Sequence, residues 1–165
     1  MENYIVINGK KAELTPEQLK ALGIEVKKPS PFDRVPVCNK FYSITATGVV
    51  GEYVELDGCG YGENAHRVAN YCTNKALFQQ QAYRETLNRL LWRFSMENGG
   101  DEIKFGVYRH CFKICYIHSE QAWSVSCNDD SQNLGIVYFA TRKIAEQAIE
   151  EIVKPFMNDH PDFKL

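Results

Sequence analysis

The sequence predicts an α+β fold: a small N-terminal hairpin-helix appendage, residues 1–28, followed by two tandem antiparallel β-β-β-α units, residues 29–100 and 101–165. Three observations predict it. Short runs with period-two alternation, separated by Gly, Asn and Asp, stand beside two long stretches with three-four apolar spacing, so hairpins precede helices. The same order of signals occurs twice after residue 29. With 165 residues, 24% of them charged and 44% apolar, the chain can bury one core, and 29–165 is expected to pack as one compact domain.

The appendage comes first. Asn8-Gly9 between two short strand-like runs is the strongest local signal for a type I′ hairpin. Thr15 reads as an N-cap, Pro16 as the first helical residue, Gln18 as the capping-box partner and Gly23 as the residue that ends the helix. Lys27-Lys28-Pro29-Ser30-Pro31 reads as a linker, because proline cannot donate to a sheet and biases the residue before it to extended backbone.

In the first unit, 41–45 and 49–56 alternate around Thr47-Gly48. A glycine-rich loop covers 57–64, a third strand covers 68–72, and Thr73 opens a long helix. In the second, 112–117 and 122–127 flank a polar turn, a loop runs over 128–133, and 135–140 leads to Thr141 and a helix. Tyr71-Cys72-Thr73 aligns with Phe139-Ala140-Thr141, which gives the two threonines one capping role. The long helix is expected from about Asn74 to Asn98, stopped by Gly99-Gly100, with Ala76, Tyr83, Leu87, Leu90, Leu91 and Phe94 inward. Glu85, Arg89, Arg93 and Glu97 recur every four residues on its wet face, a pattern of i,i+4 ion pairs that weighs against a nucleic-acid reader built on Arg84, Arg89 and Arg93. The last helix turns Ile144, Ala145, Ala148, Ile149, Ile152 and Phe156 inward, and Pro155 is expected to kink or end it.

Several functions are disfavoured on composition. Nineteen basic against 21 acidic residues leave no broad electropositive surface, so direct DNA binding is not expected. Apolar runs such as 136–140 reach five residues, too short for a membrane span or a secretory h-region, and the chain is expected in the cytoplasm with its six cysteines as thiols. No nucleophile elbow, phosphate-binding P-loop, zincin motif or EF-hand spacing occurs. Gly58-Cys59-Gly60-Tyr61-Gly62 is read as an inter-strand loop with no helix opening from it, because the third glycine of a dinucleotide fingerprint would fall at Glu63. Its exposed Asp57, Tyr61 and Glu63 make it a candidate partner-contact segment.

No cofactor is expected, with a structural zinc as the alternative. His110, Cys111, Cys115 and His118 crowd nine residues, yet on a strand Cys111 and Cys115 stand about 13 Å apart and the histidines face the other way. A zinc site would have to draw on Cys59, Cys72, Cys127 or His66. Thiol catalysis is disfavoured because Cys111, Cys115 and Cys127 fall in strand interiors, where burial makes a thiol inert. Phe41, Tyr108, Trp123, Tyr138 and Phe139 are read as core and cross-strand partners rather than base-stacking platforms.

The run Pro31-Phe32-Asp33-Arg34-Val35-Pro36-Val37, then Lys40-Phe41-Tyr42-Ser43-Ile44, Asn70-Tyr71-Cys72-Thr73, Leu87-Asn88-Arg89-Leu90-Leu91-Trp92-Arg93-Phe94 and Val137-Tyr138-Phe139-Ala140-Thr141 resembles a family of small proteins. These are carried by prophages and mobile elements of Gram-positive bacteria. The chain departs from that pattern at Cys38 and Cys72, and no catalytic residue carries over. The resemblance implies a non-enzymatic inhibitor that binds a host defence nuclease or its ribonucleoprotein complex in the bacterial cytoplasm, an anti-CRISPR protein acting on a Cas9-type effector. The acidic turns Asp57, Tyr61, Glu63 and Asp129-Asp130 would then face a Lys/Arg-rich groove and block guide or target DNA engagement. A virion-associated assembly protein and a nucleic-acid-binding accessory protein are the alternatives, and oligomeric state is left open.

Overall fold

The computed structural model describes residues 4–7, 10–23, 30–106, 110–128 and 131–165. The N-terminal hairpin pairs β1 (Tyr4–Ile7) with β2 (Lys10–Glu13), Ile7 opposite Lys10. Its Asn8-Gly9 turn lies outside the described residues, as do residues 24–29 of the linker. Helix α1 (Pro16–Ala21) starts as its sequence signals. Thr15 accepts from the Gln18 N–H at 3.3 Å, the Gln18 side chain accepts from the Thr15 N–H at 2.8 Å, and Gly23 follows with φ +70°.

Two further antiparallel hairpins form, β3 (Lys40–Ile44) with β4 (Val50–Val54) and β5 (Cys111–Ile117) with β6 (Ala122–Asn128). The expected third strands do not. Each shrinks to one antiparallel bridge, Tyr42 to Cys72 and Phe112 to Phe139, so the described residues build three two-stranded sheets rather than two β-β-β-α units. The reason for the first is local. Beyond the Tyr42 rung the ladder is continued by a side chain: the Asn70 amide accepts from the Ile44 N–H at 2.7 Å and donates to the Ile44 carbonyl at 2.8 Å. Ala69 has φ +57°, which an extended strand cannot hold. At the second bridge the Tyr138 carbonyl is taken by the Ser95 hydroxyl at 2.5 Å, and Gly135 has φ +78°.

The two bridges are followed by helices on the same count. Asn74, two residues after Cys72, caps α3 (Lys75–Glu97) by accepting from the Leu77 N–H; Thr141, two after Phe139, caps α4 (Arg142–Ala148) by accepting from the Ile144 N–H. The sequence alignment is therefore one residue out of step, and Thr73 is not a cap. Its hydroxyl and its N–H both bond to the Pro31 carbonyl, at 3.1 and 2.7 Å, and hold the segment before β3 in place.

Helix α3 serves both hairpins. Phe78 and Ala82 near its start pack with Ile44 and Cys72, Leu87 at its middle with Val153, Phe156 and Phe163, and Phe94 near its end with Val125, Phe139, Ala145 and Ala148. Ala76, expected inward, is exposed, and Phe78 and Ala82 take that side. The helix stops where expected: Asn98 is the C-cap and Gly99 has φ +82°. On the wet face Arg93 and Glu97 stand 4.0 Å apart, while Arg89 reaches back to Thr86.

Pro155 does not end the last helix. α4 runs into a π turn, Ile149–Val153, which runs on into α5 (Lys154–Asp159). Proline lacks the N–H of a regular turn and its ring crowds the carbonyl four residues back; a wider i→i+5 turn relieves both. The expected inward residues Ala145, Ala148, Ile149 and Phe156 are buried, and Val153 joins them with no exposed surface. No helix among the described residues is long and apolar enough to cross a membrane.

Candidate functional site

The sequence-predicted residues Asp57, Tyr61 and Glu63 fall on one corner of the first hairpin, at the end of β4. Asp129 and Asp130 lie outside the described residues. The corner is not a loop. Residues Gly60–Arg67 form helix α2, which the glycine content of the segment disfavours and which is a correction to the sequence reading. Packing explains it: Gly62 is buried and seats directly on the Glu55 carboxylate, where any Cβ would overlap the carboxylate oxygens. Of the three glycines only Gly58 needs a left-handed backbone, with φ +68°.

Glu55 is the centre of the corner and was not singled out by the sequence. It follows β4 in the inward phase of the alternation, two residues after Tyr53, and is only 2% exposed. A buried carboxylate is unfavourable unless its oxygens are bonded. Here Arg34 donates through Nε and Nη2 to Oε1 at 3.1 and 2.6 Å, and the Tyr71 hydroxyl donates to Oε2 at 3.1 Å. The Glu55 backbone continues the hairpin, accepting from Cys38 N–H and donating to Asn39 O. The Arg34 guanidinium holds the Glu55 carboxyl below the usual carboxylate range against the opposing effect of burial, with Tyr71 helping, and Glu55 in turn raises Arg34. Burial raises Tyr71, whose hydroxyl also accepts from the Val35 N–H at 3.0 Å. Both Glu55 oxygens and the Tyr71 hydroxyl are engaged, and the half-exposed Arg34 closes the constellation as a brace.

The brace supports an aromatic stack. Phe41 lies 4.3 Å from Tyr71 and 5.7 Å from Tyr53, and Tyr61 lies 4.7 Å from Tyr53. Tyr61 is 44% exposed while its hydroxyl donates to the buried Ser43 Oγ at 3.2 Å, so one ring face is fixed and the other meets solvent. Hydrogen bonding with Tyr61, with some burial, raises the Tyr53 hydroxyl. Asp57 and Glu63 are both exposed. Asp57 lines an open cleft of about 550 Å³ with Arg34, Val35, Pro36, Val37 and Leu56, and Glu63 acts electrostatically on Arg34, so both acidic residues lie near the half-exposed arginine. Glu63, in the first turn of α2, also lies where the helix dipole favours a negative charge.

Around this corner Val37, Val54 and Leu56 are about half exposed. Val54 and Leu56 occupy the outward phase of the strand, opposite Tyr53 and Glu55.

The histidines and cysteines distribute otherwise than expected. Cys72 and Cys111 are buried and Cys115 is half-buried, as strand interiors predict, but Cys127 is exposed and its Sγ lies 3.4 Å from His110 Nδ1. Among the described residues no three His, Cys, Asp or Glu side chains come together as a metal site. Of the aromatics, Trp123 contacts Tyr116 at 5.1 Å and Tyr138 contacts Phe105 at 5.0 Å, while Tyr108 lies outside the described residues. Arg84, offered as a nucleic-acid contact, donates to the Lys164 carbonyl at 3.3 Å and anchors the C-terminal segment.

The chain matches no protein-family model, no curated protein and no solved structure.

Proposed function

We propose that the protein is a non-enzymatic binding module whose Asp57–Tyr61–Glu63 corner engages a cationic surface of a partner protein. The observation that carries this reading is the construction of the corner: two exposed carboxylates and a half-exposed, hydroxyl-anchored tyrosine beside a hydrogen-bonded Arg34–Glu55–Tyr71 brace. A rigid presentation lowers the ordering cost of association, so charge pairing steers the encounter while the Tyr61 ring and Leu56 provide apolar area. The resemblance to prophage-borne proteins directs the choice of partner. The proposed one is a host defence nuclease of the Cas9 type or its ribonucleoprotein complex, whose guide and target channels are lined with Lys and Arg, and occupancy of such a channel would block nucleic-acid engagement.

The test is association with a purified Cas9-type ribonucleoprotein, followed by interferometry and a DNA-cleavage assay, using the wild type and the Asp57→Lys/Glu63→Lys and Tyr61→Ala variants. The expected result is wild-type binding with inhibition of cleavage, lost at least tenfold on charge reversal, the scale of a few charge-assisted contacts. Binding unchanged by both variants, each verified as folded by circular dichroism, overturns the assignment of the corner. Absence of binding by the wild type overturns the choice of partner.

A further inference from the structure

The second hairpin carries a thiol–imidazole pair that the binding function does not use. Cys127 pairs with Phe112 in the β5/β6 register, and His110 lies two residues before Phe112, so the three share one face of the hairpin. That face is the core-facing one: Val125, two residues before Cys127, is buried against α4, and Phe112 packs on the same cluster. At the end of the hairpin the face runs out from under its cover, and Cys127 and His110, diagonal neighbours there, reach solvent with Sγ 3.4 Å from Nδ1. The contact is long enough for a sulfur hydrogen bond and short enough for proton transfer. His110 also lines a cleft of about 400 Å³ together with Asn98, Glu102 and Lys104, which contribute an amide, an acid and a base to its wall.

We infer that Cys127 and His110 form a thiol–disulfide exchange site, and that it takes a small disulfide with zwitterionic, peptide-like ends. The ligand class follows from the surroundings. Exchange at sulfur needs only an accessible nucleophile and a proton acceptor, and the cleft offers a carboxylate and an ammonium for the charged ends of such a molecule. The Cys127 thiol proton passes to His110 Nδ1. The sulfur lone pair then forms a new S–S bond to one sulfur of the disulfide, whose own S–S bond breaks. The departing thiolate takes the proton from the imidazolium and leaves as a thiol. The Cys127 sulfur is oxidised to the mixed disulfide and the leaving sulfur is reduced, so electrons and protons balance.

Cys38 and Cys59 serve as references within the same molecule. Both are exposed, and neither has an imidazole at hydrogen-bond distance among the described residues. Native full-length protein is treated with limiting iodoacetamide at neutral pH and, separately, with oxidised glutathione, and each cysteine is followed by peptide mass mapping. Cys127 is expected to alkylate about tenfold faster than Cys38 and Cys59 and to acquire the glutathionyl group first. His110→Gln is expected to bring Cys127 down to the reference rate. Equal rates at the three thiols in the wild type overturn the proposal, as does a folded His110→Gln protein whose Cys127 reacts at the original rate. Fast alkylation without glutathionylation overturns the assignment to disulfides. None of these readouts involves the Asp57–Glu63 corner, so they stand apart from the binding proposal.

Discussion

Tyr71 donates to Glu55 Oε2 at 3.1 Å while accepting the Val35 N–H at 3.0 Å, so one phenol joins the segment before β3, the end of β4 and the segment that leads into α3. With Arg34 on the other oxygen, the Glu55 carboxylate is bonded on both sides beneath α2. The energetic consequences of this arrangement can be measured without knowing the partner.

The first consequence is a pH dependence. Arg34 holds Glu55 below the ordinary carboxylate value in the folded chain, so on acidification the unfolded chain takes up the proton first. The stabilisation is complete above the unfolded value of about 4.3 and is lost as pH falls through the folded one. Urea midpoints measured from pH 7 to pH 3, roughly the span of carboxylate titration, are expected to fall more steeply for the wild type than for Glu55→Gln, which starts lower. Parallel curves would refute the role of the pair. Tyr71 acts at the other end: burial raises its hydroxyl, so the unfolded chain releases that proton first and stability drops as pH rises beyond about 10.

Gly62 yields the second prediction. An alanine within a helix ordinarily stabilises by up to about 1 kcal/mol relative to glycine. At Gly62 the new Cβ would meet a carboxylate that Arg34 and Tyr71 prevent from moving, and Gly62→Ala is expected to lower stability by about 1–3 kcal/mol in thermal melts. Gly60→Ala, in the same helix, meets only Asn64 Nδ2 at 3.6 Å and should be neutral or slightly stabilising. Equal effects at the two sites would mean that α2 does not rest on Glu55 as described.

The third concerns the C-terminal segment. Phe163 is buried with Leu87, Val153 and Phe156. Around it Gln80 bonds to the Asp162 carbonyl and the Lys164 N–H at 3.0 and 2.7 Å, and the Tyr83 hydroxyl donates to Asp162 at 3.2 Å. Phe163→Ala is expected to cost about 3–5 kcal/mol by denaturant unfolding. Lys164→Ala, whose contacts are made by backbone atoms, should leave the midpoint unchanged. A small loss at Phe163 would show the segment to be peripheral.

Signals carried within a few residues were legible in the sequence. The capping box at Thr15 and Gln18, the Thr141 cap, the stop at Gly99 and the two later hairpins all depend on neighbours in the chain, and they appear where the residue pattern puts them. The exposure of Asp57, Tyr61 and Glu63 followed from a polar, glycine-rich stretch in the same way. Glu55 left a trace, an acid in the inward phase of an alternating strand, but its meaning depends on Arg34, 21 residues earlier, and Tyr71, 16 later. Helix α2 exists because Gly62 fits on that carboxylate, which no helix propensity encodes. The third strands end at one rung because Asn70 supplies the next with a side chain, and the Cys127–His110 contact depends on the register of β5 against β6. Local chemistry is written in sequence order; close approach between distant segments is decided by packing, where a missing Cβ or a diagonal register determines which groups meet.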